Sequence, residues 1–175
     1  MSDSIKQLIR KSRLWNRISR GRFESVRIPL RLANWFVHRF IYGKKEMPFS
    51  LHFTSVITRH NNIKIGRNVE KYLGNVAGLY IQAINGIEIG DDTMIAPGVR
   101  IISANHNLED FSKHDHQEPI RIGKDCWLGT NCVILPGVQL GDGVIVGAGA
   151  IVTKSFPANS VIAGVPAKII KTQGK

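Results

Sequence analysis

The stretch Ile120-Arg-Ile-Gly-Lys-Asp-Cys-Trp-Leu-Gly-Thr-Asn-Cys-Val-Ile-Leu-Pro-Gly-Val-Gln-Leu-Gly-Asp-Gly-Val-Ile-Val-Gly-Ala-Gly-Ala-Ile-Val152 divides into sixes without a gap. An aliphatic residue recurs at Ile122, Leu128, Ile134, Leu140, Val146 and Val152. Two places before each stands a small or apolar companion: Ile120, Cys126, Cys132, Val138, Val144 and Ala150. Gly follows the aliphatic at 123, 129, 141 and 147. A helix repeats every 3.6 residues and a plain strand every 2, so neither suits this period as one long element. Short strands joined by tight turns do suit it, with Gly, Asn and Asp supplying the unusual backbone angles. Each strand then sends one aliphatic inward to stack on the strand one coil away.

The register reappears upstream at Ile65, Ile89, Ile95 and Ile101. Between the first two it is degraded, with Lys71, Ala77 and Ala83 at the aliphatic place and Val69, Ile81 and Ile87 in the companion row. An irregular coil is expected there. From Ile101 to Ile122 the spacing is 21 residues, not a multiple of six. An excursion must therefore leave the solenoid, and its expected content is Ala104 to Glu118.

With this repeat, the motifs Ile89-Gly-Asp-Asp-Thr-Met-Ile-Ala-Pro-Gly-Val-Arg-Ile101, Ser103-Ala-Asn-His106, Ile122-Gly-Lys-Asp-Cys-Trp127-Leu-Gly and Ala163-Gly-Val-Pro-Ala-Lys168-Ile resemble the hexapeptide-repeat acyltransferases. The nearest branch is the maltose and galactoside O-acetyltransferases. The resemblance covers about residues 63–171 and implies an all-β, left-handed parallel β-helix with three strands per coil, an exception to the usual right-handed crossover. It also implies a homotrimer with active sites between subunits, and acetyl-CoA as acyl donor. The expected organisation is a basic amphipathic helical segment over residues 1–54, then a β-helix domain over 55–175 ending in a short tail.

Acyl transfer from a thioester to a hydroxyl needs a base, donors for the developing oxyanion and a slot for the carrier. Histidine suits the base, since its neutral ring keeps an acceptor nitrogen at pH 7. His106 opens the excursion directly after a core coil, and it matches the family's catalytic His. Glu109, Asp110, Asp115 and Glu118 are candidates to orient its ring. By position, the resemblance implies that Trp127 walls the slot and that Gly129, Thr130 and Ala148 flank the pantetheine arm. Thr153 and Lys154 match the far end of that arm, while Lys168 and Lys171 match basic positions near the nucleotide phosphates. Lysine offers a point charge there instead of arginine's bidentate fork. A carboxylate that helps hold the acceptor in the sugar enzymes is replaced here by Ile84. Gln82, Asn85 and Asn105 are left as candidate acceptor contacts, and acceptor specificity is not copied from those enzymes.

Two further readings are weighed against this one. His106, His114 and His116 form a possible metal set, as in carbonic anhydrases of the same fold, but no further Cys or His cluster joins them and no metal is expected. N-acylation of an amino sugar remains the alternative within the class. Cys126 and Cys132 fall in the companion row on successive faces, too far apart for a bridge and poorly placed for attack. Direct transfer is therefore expected instead of an acyl-enzyme.

The chain of 175 residues has a formal charge of +11, and its distribution matters more than its size. Residues 1–60 hold 13 Lys/Arg and three acids, a balance of +10; residues 61–175 hold 11 and 10, a balance of +1. On a helix over residues 5–20, Lys6, Arg10, Arg13, Arg17 and Arg20 share one arc while Ile5, Leu8, Ile9, Leu14, Trp15 and Ile18 fill the rest, with Lys11 the one intruder. Next comes the aromatic and apolar run Ile28–Tyr42, interrupted by Arg31, His38 and Arg39. No uncharged run approaches the roughly 20 residues that span a bilayer. The segment reads either as an interfacial helix on anionic lipid through residues 1–45 or as a cap packed on the β-helix. Nucleic acid is not expected, because no binding motif accompanies the charge. With two Cys and no recognisable secretory signal, the expected location is cytoplasmic, on the inner face of the membrane. The expected acceptor is a sugar or lipid-linked saccharide.

Overall fold

A computed structural model describes residue 26, residues 28–43 and residues 47–174. The helix expected over residues 5–20 lies outside the described residues. In chain order the strands begin with β1 (Val56–Thr58), β2 (Ile63–Ile65), β3 (Tyr80–Gln82), β4 (Ile87–Ile89), β5 (Met94–Ile95) and β6 (Arg100–Ile102). After the excursion come β7 (Ile120–Ile122), β8 (Trp127–Leu128), β9 (Val133–Ile134), β10 (Gln139–Leu140), β11 (Ile145–Val146) and β12 (Ile151–Val152). The chain closes with β13 (Ser160–Gly164) and β14 (Ala167–Thr172).

These strands build three sheets, one per face of a prism. Face A runs β1-β3-β6-β9-β12, face B runs β10-β7-β4-β2, and face C runs β14-β13-β11-β8-β5. All pairs are parallel except the terminal β13–β14 hairpin. The six-residue period is thus one face, and three sixes make one coil: Ile122 pairs with Leu140, Leu128 with Val146 and Ile134 with Val152.

The core is the stack of aliphatics that the repeat predicts. Ile101, Ile134 and Val152 line face A, Ile89, Ile122 and Leu140 face B, and Ile95, Leu128 and Val146 face C, all buried. The companions Cys126 and Cys132 are buried and unpaired by any disulfide. The corners close tightly: a Cβ on Gly123 would stand 2.6 Å from the Asp142 amide nitrogen, one coil on. Outside, Lys64, Glu88 and Arg121 stack along face B, with Lys64 Nζ 2.9 Å and Arg121 Nε 3.4 Å from the Glu88 carboxylate. The hydrogen bond and charge of Lys64, with Arg121 adding to them, hold that carboxyl below its usual range.

The degraded stretch differs from its expected register. Ile81, placed in the companion row by counting sixes, is instead an inward aliphatic paired with Ile57 and Ile101. The irregular coil expected around Lys71 holds a helix, α2 (Glu70–Asn75), with Leu73 and the preceding Val69 buried. The coil that holds it is longer by one six, as β1 to β3 spans 24 residues (Ile57 to Ile81). The next coil on that face takes 20 (Ile81 to Ile101), which shifts the frame by two and explains the error.

Ahead of the prism lies α1 (Ile28–Phe36), continued by one π-helical turn, Val37–Ile41. Its inward side is polar. Asn34 is buried and donates to the Gly74 carbonyl at 3.0 Å, while its own Oδ1 accepts the Phe53 amide at 2.9 Å. His38, also buried, donates through Nε2 to the His52 carbonyl at 3.4 Å. Its outward side is apolar, with Ile28, Leu32, Trp35, Phe36, Phe40, Ile41 and Tyr42 exposed. The cap reading therefore describes one side of this helix, and the described residues leave the other side exposed. The expected short tail also has structure, since β14 folds back on β13 and adds an edge to face C.

Candidate active site

The excursion leaves face A after β6 and returns to face B at β7, as the break in the repeat requires. Its root is pinned by two residues. Gln82 Oε1 accepts the Ala104 amide at 3.0 Å. Asn85 donates its side-chain amide to the carbonyls of Ser103 and Asp115, both at 2.9 Å, and its backbone amide donates to Ser103 Oγ at 3.0 Å. Gln82 and Asn85 thus hold the loop, and both hydrogens of Asn85 Nδ2 are engaged in doing so.

Beyond the root the loop is a short antiparallel ribbon. The Asp115 amide donates to Asn105 O, and the Asn107 amide donates to Lys113 O, each at 3.0 Å. The tip is closed by side chains favoured in turns. Asn107 Oδ1 accepts the amides of Glu109 and Asp110, and Asp110 accepts both the amide and hydroxyl of Ser112. Asp110 also pairs with Lys113 at 3.0 Å, and Asn107 Nδ2 reaches Asp115 Oδ1 at 2.9 Å. The hydrogen bonds from Ser112, and after them the one from Lys113, hold the Asp110 carboxyl below its usual range.

His106 sits on this ribbon, exposed, with Nδ1 2.6 Å from the Phe111 carbonyl. A carbonyl oxygen can only accept, so the proton of the neutral ring belongs on Nδ1 and Nε2 keeps its lone pair. That is the arrangement a general base needs. None of the four carboxylates expected to orient the ring does so. Asp110 and Asp115 are engaged within the loop, Glu118 lies 3.7 Å from Arg121, and the orienting group is a backbone carbonyl. A carbonyl carries no side-chain signature, so only the fold could reveal it. The His114 ring lies against His106 with centroids 4.5 Å apart. Among the described residues no three His, Cys, Asp or Glu converge as a metal site. Asn105 is exposed beside His106.

Most of the positions expected to hold the carrier lie elsewhere. Trp127, 47% exposed, belongs to an outward row of face C in which Met94, Trp127, Ile145, Val161 and Lys171 are in register. Lys171 is three strands from Trp127, roughly 14 Å at 4.8 Å per strand. Lys168, exposed, lies on the same hairpin opposite Ala163. Thr130 and Ala148 are exposed at the turn from face C to face A, where the Gly149 amide donates to Thr130 O at 2.8 Å. Gly129 is buried beneath them. Its missing Cβ would stand 2.5 Å from Val146 O and 2.7 Å from the Ala148 nitrogen, so its close approach is to the neighbouring coil. Thr153 and Lys154 are exposed after β12, at the turn from face A to face B, and Lys154 Nζ lies 5.9 Å from the Phe156 ring centroid.

The expected site positions therefore fall into two groups on the chain. The excursion with His106, and Thr153 with Lys154, occupy the A–B edge; Trp127, Thr130, Ala148, Lys168 and Lys171 occupy face C and the C–A edge. Burial excludes the thiols as nucleophiles: desolvation raises Cys126 and pushes Cys132 up to about 12.

A three-faced solenoid of six-residue repeats defines a class, the hexapeptide-repeat proteins, and the family model for the hexapeptide repeat of succinyl-transferase matches residues 119–154. The chain is 36% identical over 147 residues to a protein of Escherichia coli K12 provisionally named a lipopolysaccharide biosynthesis O-acetyl transferase, WbbJ, covering 75% of this chain and 74% of that one. Two solved structures are similar. A maltose O-acetyltransferase from Clostridium difficile 630 has a TM-score of 0.57 and 32% identity over 69% of this chain and 64% of its own. A galactoside acetyltransferase in complex with coenzyme A has a TM-score of 0.59 and 36% identity over 67% of this chain and 58% of its own. The chain thus spans under two thirds of each solved relative. It belongs to the hexapeptide-repeat acyltransferases, within their O-acetyltransferase branch, and its prism is the left-handed β-helix of that family.

Proposed function

We propose that the chain transfers an acetyl group from acetyl-CoA to a hydroxyl of a sugar or polysaccharide precursor, with His106 as general base. The observation that carries this reading is the Phe111 carbonyl at 2.6 Å from His106 Nδ1, which leaves Nε2 as the acceptor atom. In the reaction, Nε2 takes the acceptor's hydroxyl proton as the oxygen adds to the thioester carbon. The tetrahedral intermediate then collapses, and the leaving thiolate takes that proton back. Trp127, Gly129, Thr130, Ala148, Thr153, Lys154, Lys168 and Lys171 are assigned to the carrier, with the two lysines of β14 facing its phosphates. O-acetylation of a panel of sugars with labelled acetyl-CoA tests the reading. Turnover with no hydroxyl acceptor but with amino sugars would replace it by N-acetylation.

The division of the site between two edges supports a homotrimer. Side by side, such prisms bring the A–B edge of one subunit near face C of the next, so one groove holds both halves.

We also infer a working place on the inner, anionic face of the membrane, reached through residues 1–45. No described helix is long and apolar enough to cross a bilayer. The support is an apolar outward side of α1 beside a first third of charge +10. Aromatic wedges flanked by basic residues favour anionic interfaces. Trp35 and Phe36 both pack on Phe40, at 5.6 and 5.2 Å, with Arg39 over the Phe40 ring. Co-sedimentation with phosphatidylglycerol vesicles should exceed that with phosphatidylcholine vesicles and fall about tenfold in the variant Phe40→Ser with Ile41→Ser. Equal sedimentation in all arms, or loss of the trimer in the variant, would give this side to a neighbouring subunit instead.

A further inference from the structure

Beyond the base itself, the excursion carries an aromatic contact that no requirement of the loop's backbone explains. His106 and His114 are opposite each other in an isolated antiparallel bridge, with ring centroids 4.5 Å apart and planes inclined by 34°. This is within the range of offset ring packing. Both residues are exposed. The ribbon between them is already closed by backbone bonds on either side, from the Asn107 amide to Lys113 O and from the Asp115 amide to Asn105 O. The ring contact therefore adds little to the fold of the loop.

It does constrain the base. A single hydrogen bond at Nδ1 fixes one corner of the His106 imidazole and leaves the ring free to swing about the Nδ1···O direction. A second ring lying on its face stops that rotation, because the swing would drive the two rings together. We propose that His114 is a positioning residue for His106. The Phe111 carbonyl sets which nitrogen carries the proton, and the His114 ring sets where Nε2 points. His114 needs no proton of its own for this role, only a flat face. The inference rests on His106 being the base, and misalignment of a reacting group by about 1 Å costs on the order of 100-fold.

Steady-state kinetics on the full chain with acetyl-CoA and the best sugar of the acceptor panel test it. His114→Ala is expected to lower kcat about 10- to 100-fold, with KM for acetyl-CoA and for the acceptor within about twofold of the parent. His114→Phe, which keeps a flat ring and removes the titratable nitrogens, is expected to restore kcat to within about threefold. Loss of kcat in both variants overturns ring positioning, as does an unchanged kcat in His114→Ala or a loss expressed in KM alone. His106→Ala is run beside them. If it retains turnover, the base assignment itself fails. If it is inactive while the His114 variants are normal, only the positioning role fails.

Discussion

At the scale of single residues, the proposed role of His106 as base rests on one backbone oxygen. Replacing it by Ala should lower kcat about 10²- to 10⁴-fold, the usual contribution of a positioned general base, with coenzyme A binding retained in calorimetry. The position of His106 was legible, since it stands where the repeat breaks. Its orienting partner was not, because carboxylates advertise themselves in a sequence and carbonyls do not. The two cysteines make the opposite case. Their place in the companion row already marked them as core, and burial raises both thiols, Cys132 to about 12. Neither should react with a thiol reagent at pH 8 until the chain unfolds, and steady-state kinetics should show a ternary-complex pattern. Rapid native labelling would contradict their burial.

Elements add what residues alone do not explain. The corners work because adjacent coils approach within contact distance of a missing Cβ. Gly123→Ala should therefore cost about 1–3 kcal/mol through overpacking against backbone that cannot move aside, read as a fall in Tm. The loop depends on Asn85 in the same way. Asn85→Ala removes two hydrogen bonds from a half-buried amide, about 1–3 kcal/mol at the root of the excursion. Faster hydrogen exchange over residues 103–118 with little change in the β-helix is the expected result. The excursion's bounds followed from counting, whereas its internal ribbon depended on Asx turns whose partners are set by three-dimensional closure. Counting misled at α2. An insertion of six and a shift of two restore local rhythm while displacing every residue between, so Ile81 took the wrong row.

For the molecule as a whole, the proposed homotrimer, with its site divided between His106 and Trp127, makes a strong prediction. Homotrimers of His106→Ala and of Trp127→Ala should each be weak. Co-refolded mixtures should recover activity, because some grooves pair an intact His106 edge with an intact face C. Recovery no greater than the average of the parents would mean that each chain completes its own site. The charge is also a whole-molecule property: +11 overall, but nearly neutral after residue 60. Vesicle binding should accordingly weaken as salt rises.

The six-residue period and its glycine corners set the solenoid, the buried rows of residues 89–101 and 120–152 and the break at which His106 stands, because such a pattern admits few other packings. Folding alone set what those residues touch. It gave the Phe111 carbonyl and the His114 ring to His106, turned Gln82 and Asn85 into anchors, and set a polar side of α1 inward with its apolar side out. The physical reason is that periodicity reports burial, which each residue carries in its own chemistry. Hydrogen-bond partners and ring contacts depend on groups brought together only when the chain closes on itself.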